Sequence, residues 1–292
     1  MRISSFLMYS NATRNVNKNR QQYLEAQEVL ITNRRLNRPS DDPIGAARAL
    51  ELHKRLGGFG QYLRNIDQSR TFLDQTEIAL TSVSEALQRI KELAVDINSA
   101  TSGPAEYQAA AKEVANLFDE ILRAANTKVG NRYIFAGYET MSPPFDDLGN
   151  YSGGIGDAIE VEINDNAFIQ INFTGDEVFK SPIDIFQVVS DVQTAIQSGD
   201  QTAISAQLRD ISDALDQVLS TLAATGARSN QLDIAETNNF ELIEAYTAIL
   251  SNIEDADIVA ATTEFTKCEQ IFQATLEVSS RILNQSFLDF FR

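Results

Sequence analysis

The sequence predicts a mainly α chain with a small β insert. N- and C-terminal halves together build a long-helix rod or bundle, the middle holds a β-hairpin, and the terminal arms are disordered in the isolated monomer. Three observations carry this. Apolar residues recur in a 3–4 alternation over long stretches on both sides of the middle, which is helical seam spacing. The middle collects many of the Gly and Pro residues and switches to a period of two. Each end carries an apolar strip set apart from the rod pattern. The boundaries that follow are an N-terminal arm at 1–42, a discontinuous rod at 43–130 and 184–254, a β-rich insert at 131–183 and a C-terminal arm at 255–292.

The N-terminal arm has Val16, Tyr23 and Leu30 at heptad spacing beside Leu24 and Ile31, with Asn19 and Ala26 at the intervening positions. Asp42 is a good N-cap and Pro43 a good first helical residue, so the rod starts there. From Ile66 to Ile97 the seam positions read Ile66, Ser69, Leu73, Thr76, Leu80, Val83, Leu87, Ile90, Ala94 and Ile97 without a break. A Ser-Gly-Pro interruption at Ser102 to Pro104 starts a second helix, which carries Tyr107, Ala110, Val114, Leu117, Ile121 and Ala124 at the same spacing.

In the middle, Ile159, Val161 and Ile163 alternate and Phe168 to Phe173 forms a second run; Asn164-Asp165-Asn166 between them is turn chemistry, which makes a β-hairpin. After residue 200 the seam resumes with Ile204, Leu208, Ile211, Leu215, Val218 and Leu222, and runs on through Thr225, Ser229, Leu232, Glu236, Asn239, Ile243, Tyr246, Leu250 and Ile253. About 50 residues in one helix span ~75 Å, the length of a rod or bundle element. Gly226 and the polar seam residues around it mark a weaker section. Neither stripe is stable alone in water, so the two halves must meet. Beyond Asp255-Ala256-Asp257, the C-terminal arm shows Phe265, Phe272, Leu276, Leu283, Phe287 and Phe290 along one face. Two arrangements cover that strip: coiled-coil pairing in a polymer, or packing of the arms on the rod.

Composition excludes several functions. Hydrophobic residues make up 43% of the 292 and charged residues 22%, which rules out global disorder. No stretch has the ~20 consecutive apolar residues of a membrane span. Met1 to Asn37 is polar, with no apolar core or cleavage site of a secretory signal, so none is expected. The net charge of −17 argues against nucleic acid as the main partner. That charge is uneven: residues 1–64 hold 11 Lys/Arg against 5 Asp/Glu, leaving −23 for the remainder. A basic start and an acidic body suit staggered contacts between copies of one chain, though a solvated helix face reads the same way.

No catalytic constellation is present, and no cofactor or metal is expected. The lone His53 reads as a surface or seam residue. Gly57-Gly58-Phe59-Gly60 follows no strand and lacks a Lys-Ser/Thr, so it is not a phosphate loop. Asp146-Asp147 with Glu160 and Glu162 lack a calcium-loop pattern. The single cysteine, Cys268, lies in the apolar arm with no His near in sequence.

Several segments carry a resemblance. Met1-Arg2-Ile3-Ser4-Ser5 is similar to the start of flagellin-type proteins. Asn33-Arg34-Arg35-Leu36-Asn37-Arg38-Pro39-Ser40-Asp41-Asp42-Pro43-Ile44-Gly45-Ala46-Ala47-Arg48-Ala49-Leu50 resembles their signature at the arm-to-rod junction. Ala227-Arg228-Ser229-Asn230, Leu250-Ser251-Asn252-Ile253-Glu254-Asp255-Ala256-Asp257 and Ser286-Phe287-Leu288-Asp289-Phe290 resemble the C-terminal counterpart. Within that family, Asp41-Asp42-Pro43, Asn131-Arg132-Tyr133-Ile134-Phe135-Ala136-Gly137 and Pro143-Pro144-Phe145 resemble the hook-associated protein 3 family. The ending through Phe291 is more aromatic than usual, and roughly 146–200 holds no diagnostic motif.

The resemblance implies a non-enzymatic structural protein, exported unfolded through the flagellar type III apparatus and placed outside the cell at the hook–filament junction. It implies a ring of copies, with hook-associated protein 1 on the hook side, flagellin on the filament side and an export chaperone holding the C-terminal arm beforehand. The arms are then expected to become coiled coils, with Val16, Tyr23 and Leu30 paired with Phe265, Phe272, Leu276, Leu283 and Phe287. The alternatives are a short flagellin that forms filament itself, or a coiled-coil tip protein of another type III secretion system. The insert motifs separate the first, and the matched motifs at both ends the second.

Overall fold

The computed structural model describes residues 2–99 and 103–290, with side chains at Leu7, Tyr9 to Asn98 and Gly103 to Arg281. The chain is mainly helical: α1 (Arg2–Thr32), α2 (Pro43–Ser99), α3 (Pro104–Ala125), α4 (Ile185–Ser198), α5 (Gln201–Glu254) and α6 (Ile258–Phe290). Two small antiparallel pairs interrupt it, β1 (Lys128–Val129) with β2 (Arg132–Tyr133) and β3 (Glu160–Asn164) with β4 (Ala167–Gln170). The chain divides into two compact units, residues 1–58 with 242–292 and residues 59–241, so that the divisions fall inside α2 and α5.

In the unit of 59–241, the seam read from the sequence is the core. All ten positions from Ile66 to Ile97 are buried. Facing them, Ile204, Ile211, Val218, Thr225, Leu232 and Asn239 of α5 are buried and the intervening seam positions from Leu208 to Glu236 are half-buried. The seam hydroxyls are satisfied inside their own helices: Ser69 Oγ donates to Asn65 O at 2.7 Å, Thr76 Oγ1 to Phe72 O at 2.9 Å and Thr225 Oγ1 to Thr221 O at 2.9 Å. A buried hydroxyl with a partner carries little penalty.

Pro104 opens α3, and Glu106 reaches back to accept from the Gly103 N–H at 2.7 Å. The connection at 100–102, where the Ser102 interruption falls, lies outside the described residues. The hairpin forms, with Val161 opposite Ile169 and Asn166 in the left-handed region at φ 55°, but its second strand is Ala167–Gln170 and stops short of the Phe173 expected from the sequence. Its Ile163, Ile169 and Ile171 join Ile66, Leu73 and Leu232 in one apolar cluster.

The stretch without motifs, 146–200, contains α4, which the sequence reading did not resolve. Asp184 caps it by accepting from Gln187 N at 3.1 Å, Gly199 ends it at φ 69°, and Phe186, Val189, Val192 and Ile196 face the core. A single π turn (Asp176–Lys180) precedes it, held by Gln217 of α5, which donates to Val178 O and Ile183 O and accepts from Ile183 N.

In the unit of 1–58 with 242–292, Ala49 and Leu52 of α2 pack on Leu250 of α5, with Leu56, Tyr246 and Ile253 beside them. The arms differ from the sequence expectation of disorder in the monomer: α1 and α6 are helices packed on each other. The physical reason is that the aromatic strip of α6 meets its apolar complement on α1 of the same chain.

Candidate assembly surface of the terminal arms

Two signature segments far apart in sequence meet at the base of the arms. Arg35 N donates to Glu254 O at 2.7 Å and Ala256 N to Asn33 O at 3.1 Å, so the α1–α2 link pairs with the α5–α6 link. Asn33 takes φ 54° to enter this pairing. Arg35 Nη2 donates to Ile253 O at 2.7 Å and so satisfies a carbonyl in the last turn of α5. The Glu254 carboxylate, only 12% exposed, sits 2.8 Å from His53 Nε2 and 3.7 Å from Arg34. His53 is thereby accounted for as a structural partner of Glu254. Asp42 caps α2 through Gly45 N at 2.9 Å, and a Cβ on Gly45 would stand 2.5 Å from the Asp42 carboxylate, which explains the glycine.

Above this base the two arms run antiparallel. Tyr23 stacks against Phe272 at 5.8 Å between ring centroids and meets Phe265 at 5.3 Å, and Asn19 Nδ2 donates to Thr275 Oγ1 at 2.6 Å. The structure therefore brings Tyr23, Phe265 and Phe272 together. Val16 and Leu30 are half-buried on α1, while Leu276 is largely exposed. The side chains of Leu283 and Phe287 lie outside the described residues. Cys268 is buried in the pair, and burial, with Glu264 beside it, pushes its thiol pKa up.

Pairing leaves much apolar surface uncovered. Leu24, Ile31, Ile258, Val259 and Val278 remain exposed, Ile31 by 75% and Val259 by 77%. Leu24 and Ile31 flank the α1 strip and Ile258 falls one heptad before Phe265, whereas Val259 and Val278 lie off the heptad line.

The insert motifs prove to be packing devices of the other unit. Ile134, Phe135 and Ala136 are buried, and Phe135, Phe145, Phe179 and Phe186 form a ring cluster with centroids 5.1–5.8 Å apart. Asn126 holds Phe145 in place with two 3.1 Å bonds to its backbone. Among the described residues, no group of His, Cys, Asp or Glu could hold a metal ion, and no helix is long and apolar enough to cross a membrane.

Residues 3–140 match the bacterial flagellin N-terminal helical region and residues 208–291 the bacterial flagellin C-terminal helical region. The chain belongs to the bacterial flagellin family. Among its members, flagellar hook-associated protein 3 of Escherichia coli is 27% identical over 305 residues, covering 94% of this chain and 95% of that one. The flagellin of Halalkalibacterium halodurans is 26% identical over 279 residues, covering 94% and 93%. The crystal structure of Bacillus cereus FlgL superposes with a TM-score of 0.61 at 27% identity, covering 69% of this chain and 99% of that one. The family accounts for the paired signatures at the arm base, which hold its two terminal helical regions together.

Proposed function

We propose that this chain is a structural subunit of the bacterial flagellum at the hook–filament junction, outside the cell, and not an enzyme. The observation that carries this reading is the match along nearly the whole length of hook-associated protein 3, insert included. That insert is not an optional loop: Phe135 and Phe145 of the motif pack into the main core. A short flagellin that builds filament is the less supported reading, since the insert motifs that form this core resemble the junction protein and not flagellin.

The mechanism assigned here is assembly. Subunits form a ring, with hook-associated protein 1 on one side and flagellin on the other, after an export chaperone releases the C-terminal arm. The surface left apolar after α1 and α6 pair is what a polymer contact would bury, at roughly 25 cal/mol per Å² of apolar area removed from water. Unpartnered cations on α1 such as Arg14 and Lys18 would meet the acidic body of a neighbouring copy.

Electron microscopy of cells lacking the gene, with flagellin assayed in the medium, tests the role. Hooks without filaments together with monomeric flagellin in the medium are expected. Normal filaments would point to a dispensable flagellin, and cells without hooks to a component acting earlier.

A further inference from the structure

The β3–β4 hairpin has two ways to close, and its ladder tells them apart. Ile171 N donates to Ile159 O at 3.0 Å, which makes those two a hydrogen-bonded pair. Bonded pairs alternate along an antiparallel ladder, so Val161 with Ile169 is the next. Continued without a break, the third would set Ile163 opposite Ala167 and leave a three-residue loop at 164–166. The chain takes the other course. Asn164 stands opposite Ala167, with a register shift after Glu162 and only Asp165-Asn166 between the strands. Ile163 is thus the extra residue of a β-bulge, and its carbonyl is released from the ladder.

Side chains from α2 and α5 take up what the bulge sets free. Asn239 Nδ2 of α5 donates to Ile163 O at 2.9 Å, and Asn65 Nδ2 of α2 donates to Glu162 O at 2.8 Å. Glu162 lies opposite Phe168 in a non-bonded pair, so its carbonyl also points away from β4. Both amides are held in orientation: Asn65 Oδ1 accepts from Gln61 Nε2 at 2.9 Å, and Asn239 Nδ2 donates also to Ala235 O at 2.9 Å. Asn239 occupies a fully buried seam position, and among the described residues its Oδ1 has no hydrogen-bond partner. An apolar residue would continue the seam without that orphaned acceptor. What the amide contributes there is its donor, in the way a buried asparagine fixes register in a helical seam at some loss of stability.

We infer that Asn239 and Asn65 are positioning residues that select the bulged register of the hairpin over the regular one. A two-stranded hairpin has little stability of its own, so contacts from outside can decide between two closures. Turn chemistry leaves the choice open, because Asn164, Asp165 and Asn166 suit a two-residue or a three-residue loop. In the regular register Ile163 O would turn toward Ala167 N and away from Asn239. The two helices thereby set the shape of the hairpin tip, whatever the chain builds.

Crystal structures of full-chain variants test this, with thermal melts as a check on the main core. Asn65→Ala with Asn239→Leu should lose the bulge and set Ile163 opposite Ala167 under a three-residue loop, with α2 and α5 unmoved. Asn65→Ala alone, at a half-buried site, leaves the seam intact. It should show both tips at partial occupancy, and in solution a second or broadened set of amide signals confined to 162–168. The double variant decides if it folds, and Asn65→Ala decides otherwise. A bulge kept at full occupancy in the deciding variant would overturn the selection. So would a hairpin that comes away from the helices, because the amides would then hold it in place without choosing its register.

Discussion

Tyr151 illustrates how much of the main core depends on single polar atoms. Its hydroxyl lies 2.7 Å from Gly154 O and 3.2 Å from Phe135 O, and its ring packs on Phe145. Burial pushes its pKa up to about 12 from the ordinary 10, with the carboxylates of Asp176 and Asp157 adding to the rise and backbone hydrogen bonding partly opposing it. The neutral phenol is thus favoured in the folded state. Its contribution to stability is fully present below pH 10 and is lost as pH rises from 10 through about 12. Urea midpoints measured across that range should fall more steeply for the native chain than for Tyr151→Phe; parallel curves would contradict the assignment. Such roles were not legible in the sequence. Tyr151, Asn126 and Gln217 bond backbone groups of segments that only the fold brings near, and no local pattern marks them. The seam residues were legible, even Ser69 and Thr76, because position in the repeat sets their burial whatever their polarity.

Among the elements, the contrast is between α2 and α5, read residue by residue, and α4, which went unread. Long seams repeat often enough to stand out from chance. At 14 residues α4 offers few turns, and its apolar face Ile185, Phe186, Val189, Val192 and Ile196 merges with Val188 into a run that fits strand or helix. Its punctuation was present all the same, in Asp184 and Gly199. Asp184→Ala should lower stability by about 1 kcal/mol, while Asp184→Asn, which still accepts from Gln187 N, should lose much less. Thermal melts of the two variants separate this from a mere loss of the Lys180 ion pair, which both remove. The arms were legible as apolar strips. Their partners were not, because periodicity does not say whether a strip pairs within one chain or between copies.

At the scale of the whole molecule, the two units are built differently. The unit of 59–241 has a continuous core of helix seams and stacked aromatic rings, whereas the arms of the other unit are a two-helix pair with exposed apolar residues on both members. Few buried apolar contacts mean low local stability. Limited trypsin digestion of the soluble chain should therefore cut at Arg20, Lys267 and Arg281 well before Arg89, Arg123 or Arg209. Equal rates would show the arms to be as firmly held as the core. The central claim, assembly through the paired arms, is tested most directly by supplying Phe272→Glu to cells lacking the gene and imaging their flagella. An unpaired carboxylate in that contact should cost on the order of several kcal/mol. The variant should reach the medium with the thermal transition of its main core intact, while hooks stay bare of filament; normal filaments on those hooks would contradict assembly through this surface.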